Sequence, residues 1–442
     1  MQTAPKKVVN AWAMYDWANS VYSLVITTTF FPIYFNAVTT RAYGEDTVPF
    51  LGRTFKNSAL YQYSYAAAYL IIVLMLPILS SIADSRGNKK SFMQFFCYLG
   101  GLACSGLFFF SENEPQLWLG IGCSMLAVIG FVGSLVFYNS YLPEIAAPED
   151  MDRISAKGFS LGYVGSVILQ IIGFILVLYF TSKGDNFSGP RYTFLLVGIW
   201  WIGFAQITFA HLPKGRPSTT VKNKNVIQAG FNELNKVWNQ VKKMAVLKRF
   251  LFSFFFYAMG VQTVFLAASF FGSKVLNLPD TNLIITLVII QLVAIIGATQ
   301  MARLSGKYGN FQVLIGAVII WIVICIAAFL LANEAEKGYN TEYLFYGLAV
   351  AVGLVMGGIQ AISRSTYSKL MPETKDTASF FSFYDVTEKT AIVIGMFTFG
   401  FVDELFSMKY SVLFLIIFFT IGLIGLINTL KRSRRKAIPH LE

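Results

Sequence analysis

Pro148-Glu-Asp-Met-Asp-Arg-Ile-Ser155, closed by Phe159, returns 224 positions later as Pro372-Glu-Thr-Lys-Asp-Thr-Ala-Ser379, closed by Phe383. A second pair, Gly87-Asn88 and Gly309-Asn310, recurs at an offset of 222. Each copy is a short polar stretch between long apolar runs. A repeat at half the chain length means two structural halves of the same plan.

The surrounding composition says what those halves are made of. The 442 residues are 55% hydrophobic and only 13% charged, with a mean hydropathy of +0.59, which excludes an ordinary soluble globule. A helix crosses hydrocarbon with roughly 20 apolar residues. Scanning at that length gives twelve runs, from Trp12–Phe35 to Tyr410–Leu430, six before residue 212 and six after residue 248. The expected organisation is a first half over 1–211, a linker over 212–249, a second half over 250–430 and a basic tail over 431–442.

The net charge of +12 becomes a topology signal once it is mapped. With the N-terminus placed in the cytoplasm, 26 Lys and Arg fall on inner segments and the inner end of span ten, 8 fall on outer loops, and Lys389 remains inside a span. Both termini are therefore expected to be cytoplasmic. The tail Lys431, Arg432, Arg434, Arg435 and Lys436 reads as an anchor on anionic headgroups, not as a nucleic-acid site. In the linker, Ile227, Phe231, Leu234, Trp238, Val241 and Ala245 recur at steps of four and three, among Lys236, Lys242 and Lys243. This spacing predicts an amphipathic helix lying on the inner leaflet. The N-terminal run lacks a small-residue cleavage site, so the first span is expected to stay.

Soluble-enzyme chemistry finds no footing. Cys97, Cys104, Cys123 and Cys325 all sit in apolar runs without metal-type spacing, and the histidines are only His211 and His440. No serine–histidine triad or Gly-rich phosphate loop is present, so neither an enzyme nor a cofactor is expected. Any coupling ion would be H⁺ carried on carboxylates, or Na⁺.

The loop Ser80-Ser-Ile-Ala-Asp-Ser-Arg-Gly-Asn-Lys-Lys90 resembles the signature between spans two and three of the major facilitator superfamily, with Ser80 in place of its leading glycine and Ser85 in place of an arginine. Tyr15-Asp-Trp-Ala-Asn-Ser20, Gly357-Gly-Ile-Gln-Ala-Ile-Ser-Arg-Ser365 and Phe380-Phe-Ser-Phe-Tyr-Asp-Val-Thr-Glu-Lys389 resemble a narrower group, the vacuole-effluxer (autophagy-related permease) branch. The resemblance implies an all-α integral membrane fold of twelve transmembrane helices in two six-helix pseudo-symmetric halves, with substrate bound at their interface. It also implies a latch in which Asp84, with Arg86 in its loop, meets Arg153 and the start of span eleven on the inner side. The glycine–proline turn of drug–proton antiporters is missing from span five, Gly158-x3-Gly162-x2-Gly165, which argues against multidrug export.

Ionisable groups inside spans are costly and are functional candidates by default. In span one, Asp16, Ser20, Ser23 and Thr27 make a polar stripe flanked by Asn19. Asp16 reads either as an interfacial cap beside Trp12 and Trp17 or as an amine or proton site. Lys389 lies about 15 Å into span eleven, with Asp385 one turn before it and Glu388 adjacent; the branch pattern has a small residue where Glu388 stands. It reads either as a structural salt bridge or as a cavity cation. Arg364, with Gln360 one turn earlier, offers a fork for a carboxylate or pairs with Asp376 or headgroups. Gln262 is the remaining candidate.

The function expected from this reading is secondary active transport of a small charged or zwitterionic solute, with amino-acid or related carboxylate efflux implied by the resemblance. Arg364 and Lys389 would hold the anionic end, and Asp16 or Glu388 an amine or proton. The competing readings are an amphiphile or lysolipid transporter, and a non-transporting receptor or scaffold on the same fold. The expected partners are the small solute and a bilayer with an anionic inner leaflet, no nucleic acid and no second subunit. The expected location is a bacterial inner membrane, not a eukaryotic vacuole.

Overall fold

The computed structural model describes residues 2–44, 47–112, 116–214 and 226–436. Most of the linker before residue 226 and the chain end with His440 lie outside the described residues. The side chains of Arg434, Arg435 and Lys436, and with them the expected headgroup contacts, lie outside the description as well.

Span one opens with α1 (Lys6–Val21), passes through a nine-residue π-helical segment (Tyr22–Phe30) and ends as α2 (Phe31–Tyr43). The π register has local causes. Thr28 and Thr29 both donate their hydroxyls to the Leu24 carbonyl, at 2.7 and 2.9 Å, and so compete with the main-chain ladder. Pro32 brings no N–H to it at all. The N–H of Phe31 instead reaches the carbonyl of Ile26, five residues back.

An antiparallel hairpin follows, β1 (Thr47–Phe50) against β2 (Arg53–Lys56), turning at Leu51 and Gly52, both at positive φ. The sequence reading places no element between its first two runs, Trp12–Phe35 and Ser58–Ala83. Strands of four residues carry too few alternating positions to register, but Val48 is fully buried and Phe50 packs 4.6 Å from Trp118.

The chain continues as α3 (Asn57–Arg86), α4 (Lys89–Gly106), α5 (Leu117–Ser140), the short α6 (Leu142–Ile145), α7 (Met151–Ser182) and α8 (Ser188–His211). After the linker come α9 (Val226–Lys243), α10 (Ala245–Lys274), α11 (Asp280–Tyr308), α12 (Asn310–Glu336), α13 (Glu342–Leu370), α14 (Thr377–Leu405) and α15 (Met408–Lys436). Among the described residues, ten helices are long and apolar enough to cross a membrane, and α10 makes an eleventh when joined to α9 across a 98° bend. The twelfth is α14, which has the length but carries Asp385, Glu388 and Lys389 within two turns. The twelve apolar runs thus become twelve long helices.

Two compact units result. One comprises Ala4–Tyr141 and Leu161–Gly230, the other Met1–Thr3, Leu142–Ser160 and Phe231–Glu442. The first three turns of α7 thus fold with the second unit. In the first unit, α4 and α5 approach until a Cβ on Gly130 would lie 2.4 Å from the backbone nitrogen of Gly100, and Trp12, Tyr138 and Trp201 fill the centre. In the second, α11 and α13 touch where a Cβ on Gly297 would lie 2.2 Å from the Leu354 carbonyl, and Trp321 stacks on Phe419. The repeated Gly-Asn pair has one job in both units. Gly87 and Gly309 take positive φ, at 66° and 91°, and end α3 and α11.

Helix α9 covers the amphipathic stretch of the linker. It buries Val237 and Val241 in the core of the second unit, stacks Trp238 on Phe383 and pairs Lys236 with Asp376 at 3.2 Å. The start of α14 supplies the surface that holds it.

Candidate functional site

Three of the expected site residues meet in the second unit. Lys389 is 7% exposed and pairs with Glu388 at 2.6 Å, and the other Glu388 oxygen accepts from Gln262 of α10 at 3.1 Å. Asp385, one turn earlier on α14, is 1% exposed. Tyr384 lies in the electrostatic neighbourhood of Asp385, Glu388, Tyr257 and Arg364, and its ring stacks on Phe254 at 4.4 Å. A pair of charges so enclosed persists because Glu388 and Lys389 neutralise each other.

Arg364 is placed otherwise than as a free carboxylate fork. It is buried, and its Nε and Nη2 donate to the hydroxyl and the carbonyl oxygen of Ser155, each at 2.9 Å. Its guanidinium lies 4.3 Å over the ring of Phe159, while the Ser155 hydroxyl donates to the Ala361 carbonyl at 2.8 Å. Gln360 is half-buried one turn before it.

Beside this sits a second polar cluster that sequence reasoning did not single out. Asp152 accepts from Ser305, Asn310 and Lys369, each at 2.7 Å, and the Asn310 amide also bonds Lys369 and Thr366. Glu144 accepts from Thr377 at 2.7 Å. These bonds fasten α6 and the first turns of α7 to α11, α12, α13 and α14. The signal was within reach, because Asp152 lies inside the repeated stretch and Asn310 inside the repeated Gly-Asn pair.

Among the expected latch residues, Arg153 is 68% exposed and its ion pair is with Asp150 at 2.7 Å. The Thr3 hydroxyl, bonded to Asp150 at 2.7 Å, and then Arg153 hold that carboxyl below the usual aspartate range. In the first unit, Asp84 is buried in the last turn of α3 and Arg86 is exposed. Lys89 lies 4.1 Å over the Tyr141 ring.

Also in the first unit, Asp16 is 4% exposed and accepts from the Tyr138 hydroxyl at 2.7 Å. Trp12 stacks on that same ring at 4.5 Å and donates to its carbonyl. Asn19 is buried at 1% exposure, and neither amide atom has a hydrogen-bond partner among the described residues.

Solved structures share this arrangement of helices. A bacterial homologue of the iron transporter ferroportin in its outward-facing state aligns with TM-score 0.68 at 13% identity, covering 96% of this chain and 98% of that one. The proton:xylose symporter XylE aligns with TM-score 0.69 at 12% identity, covering 96% and 95%. The fold is that of the major facilitator superfamily, and the chain is a multi-pass membrane transporter of that type, not an enzyme.

Sequence relatives narrow the class. The MFS-type transporter YxiO of Bacillus subtilis is 30% identical over 95% of this chain and 94% of its own length. Autophagy-related protein 22 of Kluyveromyces lactis is 28% identical over 85% and 80%. The match to the vacuole effluxer Atg22-like family runs over residues 4–438, and the chain belongs to that family.

Proposed function

We propose that this transporter exports a small charged or zwitterionic solute, an amino acid or a related small carboxylate, by alternating access. The observation that supports this reading is Lys389, enclosed in α14 about 18 Å from its start and neutralised by a Glu388 that Gln262 orients. A carboxylate arriving at Lys389 replaces Glu388 as its counter-ion. Glu388, released, becomes the group that can take a proton, so substrate and coupling ion act on one pair. The effluxer family and the fungal relatives named for autophagy support the direction and the solute class. Arg364 has a different part in this reading. With Ser155, Asp152 and Lys369 it locks the end of the second unit that the charge bias assigns to the cytoplasm, and the lock must open once per cycle.

Reconstitution into proteoliposomes tests this. Lys389→Ala is expected to abolish counterflow of radiolabelled amino acids in a protein that still folds, with a melting temperature lowered because Glu388 loses its counter-charge. Wild-type rates in a well-folded Lys389→Ala protein would remove Lys389 from the site. Transport indifferent to an imposed pH gradient would remove Glu388 as a proton carrier.

A further inference from the structure

Two contacts with α14 fix the rotation of α9 about its own axis. Lys236 pairs with Asp376, the residue just before α14, at 3.2 Å, and Trp238 stacks on Phe383 with ring centroids 5.6 Å apart. Phe383 lies seven residues beyond Asp376, which is about 10 Å further along a crossing helix. Lys236 and Trp238 are themselves about 160° apart around α9. The Trp238 flank of α9 therefore turns toward the membrane level. The Lys236 flank turns away from it, toward the end of α14 that the charge bias assigns to the cytoplasm.

The direction of α9 agrees with this. Met244 takes φ −89° and ψ 83°, outside the helical region, and α9 and α10 meet there at 98°. A helix nearly perpendicular to a crossing helix runs along the membrane plane. Val237 and Val241 bury one side of it in the core of the second unit, but the flank turned to the membrane keeps apolar surface that the unit leaves open. Phe231, seven residues before Trp238 and within about 20° of the same direction, is 48% exposed. Trp238, despite its stack on Phe383, is 43% exposed.

The surrounding charge selects what covers these rings. From Val226 to Arg249 the sequence holds five basic residues, Lys236, Lys242, Lys243, Lys248 and Arg249, against one acidic residue, Glu233. The Lys242 Nζ lies 5.1 Å from the Trp238 ring centroid, one turn along the same flank, and Lys248 and Arg249 are exposed at the start of α10. Aromatic rings with lysines beside them suit a lipid headgroup layer, where the ring reaches the acyl boundary and the ammonium meets phosphate. A small anion from solution would satisfy the lysines and leave the rings in water. We infer that α9 docks by its Phe231–Trp238–Lys242 flank on anionic phospholipid headgroups of the inner leaflet, and that through Phe383 and Asp376 this docking steadies the start of α14. The amphipathic spacing alone predicts a helix at the interface; the contacts with α14 add which flank meets lipid and which crossing helix the lipid charge acts upon. This holds whichever solute is carried.

Spin labels on the full-length protein test the docking, with Cys97, Cys104, Cys123 and Cys325 replaced by alanine, in vesicles of phosphatidylcholine alone or mixed equally with phosphatidylglycerol. In the anionic vesicles a label at Phe231→Cys is expected to be open to oxygen and shielded from the water-soluble nickel–EDDA complex. A label at Asn232→Cys, about 100° around the helix, is expected to stay open to the nickel complex. Lys242→Gln/Lys248→Gln removes two charges from the surface and is expected to lower the ratio of lipid-facing to water-facing label at Phe231→Cys about 30-fold. A label at Phe231→Cys as open to nickel–EDDA as that at Asn232→Cys, which a flank reserved for a soluble partner would give, overturns the docking. So does an equal ratio in the two kinds of vesicle, or in the double variant. Hydrogen exchange of the wild type in nanodiscs of the same two compositions needs no cysteine change. Residues 226–243 and 377–383 are expected to exchange more slowly in the anionic discs, and Lys242→Gln/Lys248→Gln to remove the difference. Equal exchange in α9 would overturn the docking, and equal exchange at the start of α14 would overturn its coupling to the lipid.

Discussion

Asp152→Asn should loosen one end of the second unit by a calculable amount. The aspartate oxygens accept three hydrogen bonds at 2.7 Å, from Ser305, Asn310 and Lys369. Asparagine keeps one acceptor, presents an N–H₂ where a donor already points, and leaves the Lys369 ammonium without its counter-charge. Removing one partner of a buried ion pair costs about 3–5 kcal/mol. The Lys369 side chain is 25% exposed and recovers some hydration, which brings the expected cost to about 2–3 kcal/mol. At about 1.4 kcal/mol per factor of ten, the opening equilibrium of the α7 start rises about 30- to 150-fold. A reporter lies beneath it, since Ala156 packs against Ala298 and Ala361 and is 2% exposed. With Cys97, Cys104, Cys123 and Cys325 replaced by alanine, maleimide labelling of Ala156→Cys should accelerate by that factor when Asp152→Asn is added. Adding Lys369→Met should give back part of the effect, because the uncompensated charge is then gone. An unchanged labelling rate in a folded Asp152→Asn protein would refute the lock.

Other expectations are narrower. Gly130→Ala should destabilise by about 1–3 kcal/mol or more, since its Cβ would meet Gly100 backbone that cannot swing aside, whereas Gly122→Ala, with nothing within 4 Å, should not; paired melting curves decide. The Asp150 carboxyl is held below its ordinary value, so its contribution is complete above about pH 4 and is lost as pH falls through the lower folded value. The N-terminal segment, tied through Thr3 to Asp150 and the Ala147 N–H, should therefore gain hydrogen exchange below about pH 4 in the wild type and already at pH 7 in Asp150→Asn.

Much of the fold was legible because membrane crossing is a one-dimensional property. A run of apolar residues declares itself whatever it packs against, and the repeat around Pro148 and Pro372 told that the plan is used twice. Even α14, whose charges dilute its hydropathy, was found as a run. The site was less legible for physical reasons that differ by residue. Glu388 with Lys389 could be read because the two are adjacent, and Gln262 because a polar residue among apolar neighbours stands out. The partner of Arg364 could not be read. Ser155 is 209 positions away, carries no charge and uses its carbonyl as much as its hydroxyl, and carbonyls are invisible in sequence. Arg153 drew attention as the basic residue that the resemblance calls for in this loop, while Asp152 beside it makes the buried bonds. The π-helical register of span one could not be read either, since no glycine or proline within Tyr22–Phe30 announces it. Three consecutive threonines were its only trace.

That register change has a consequence for how span one tolerates length. A π-helical stretch accommodates surplus residue length that an α-helix would push onward into the following turn. Deleting one residue anywhere between Tyr22 and Phe30 lets the stretch close to α-helical bonding while α1 and α2 keep their own side-chain faces. The same deletion in α5 would turn everything beyond it by about 100° and bring apolar faces out of register. Span one therefore contains a stretch where a lost codon would change the local register and leave the crossing intact.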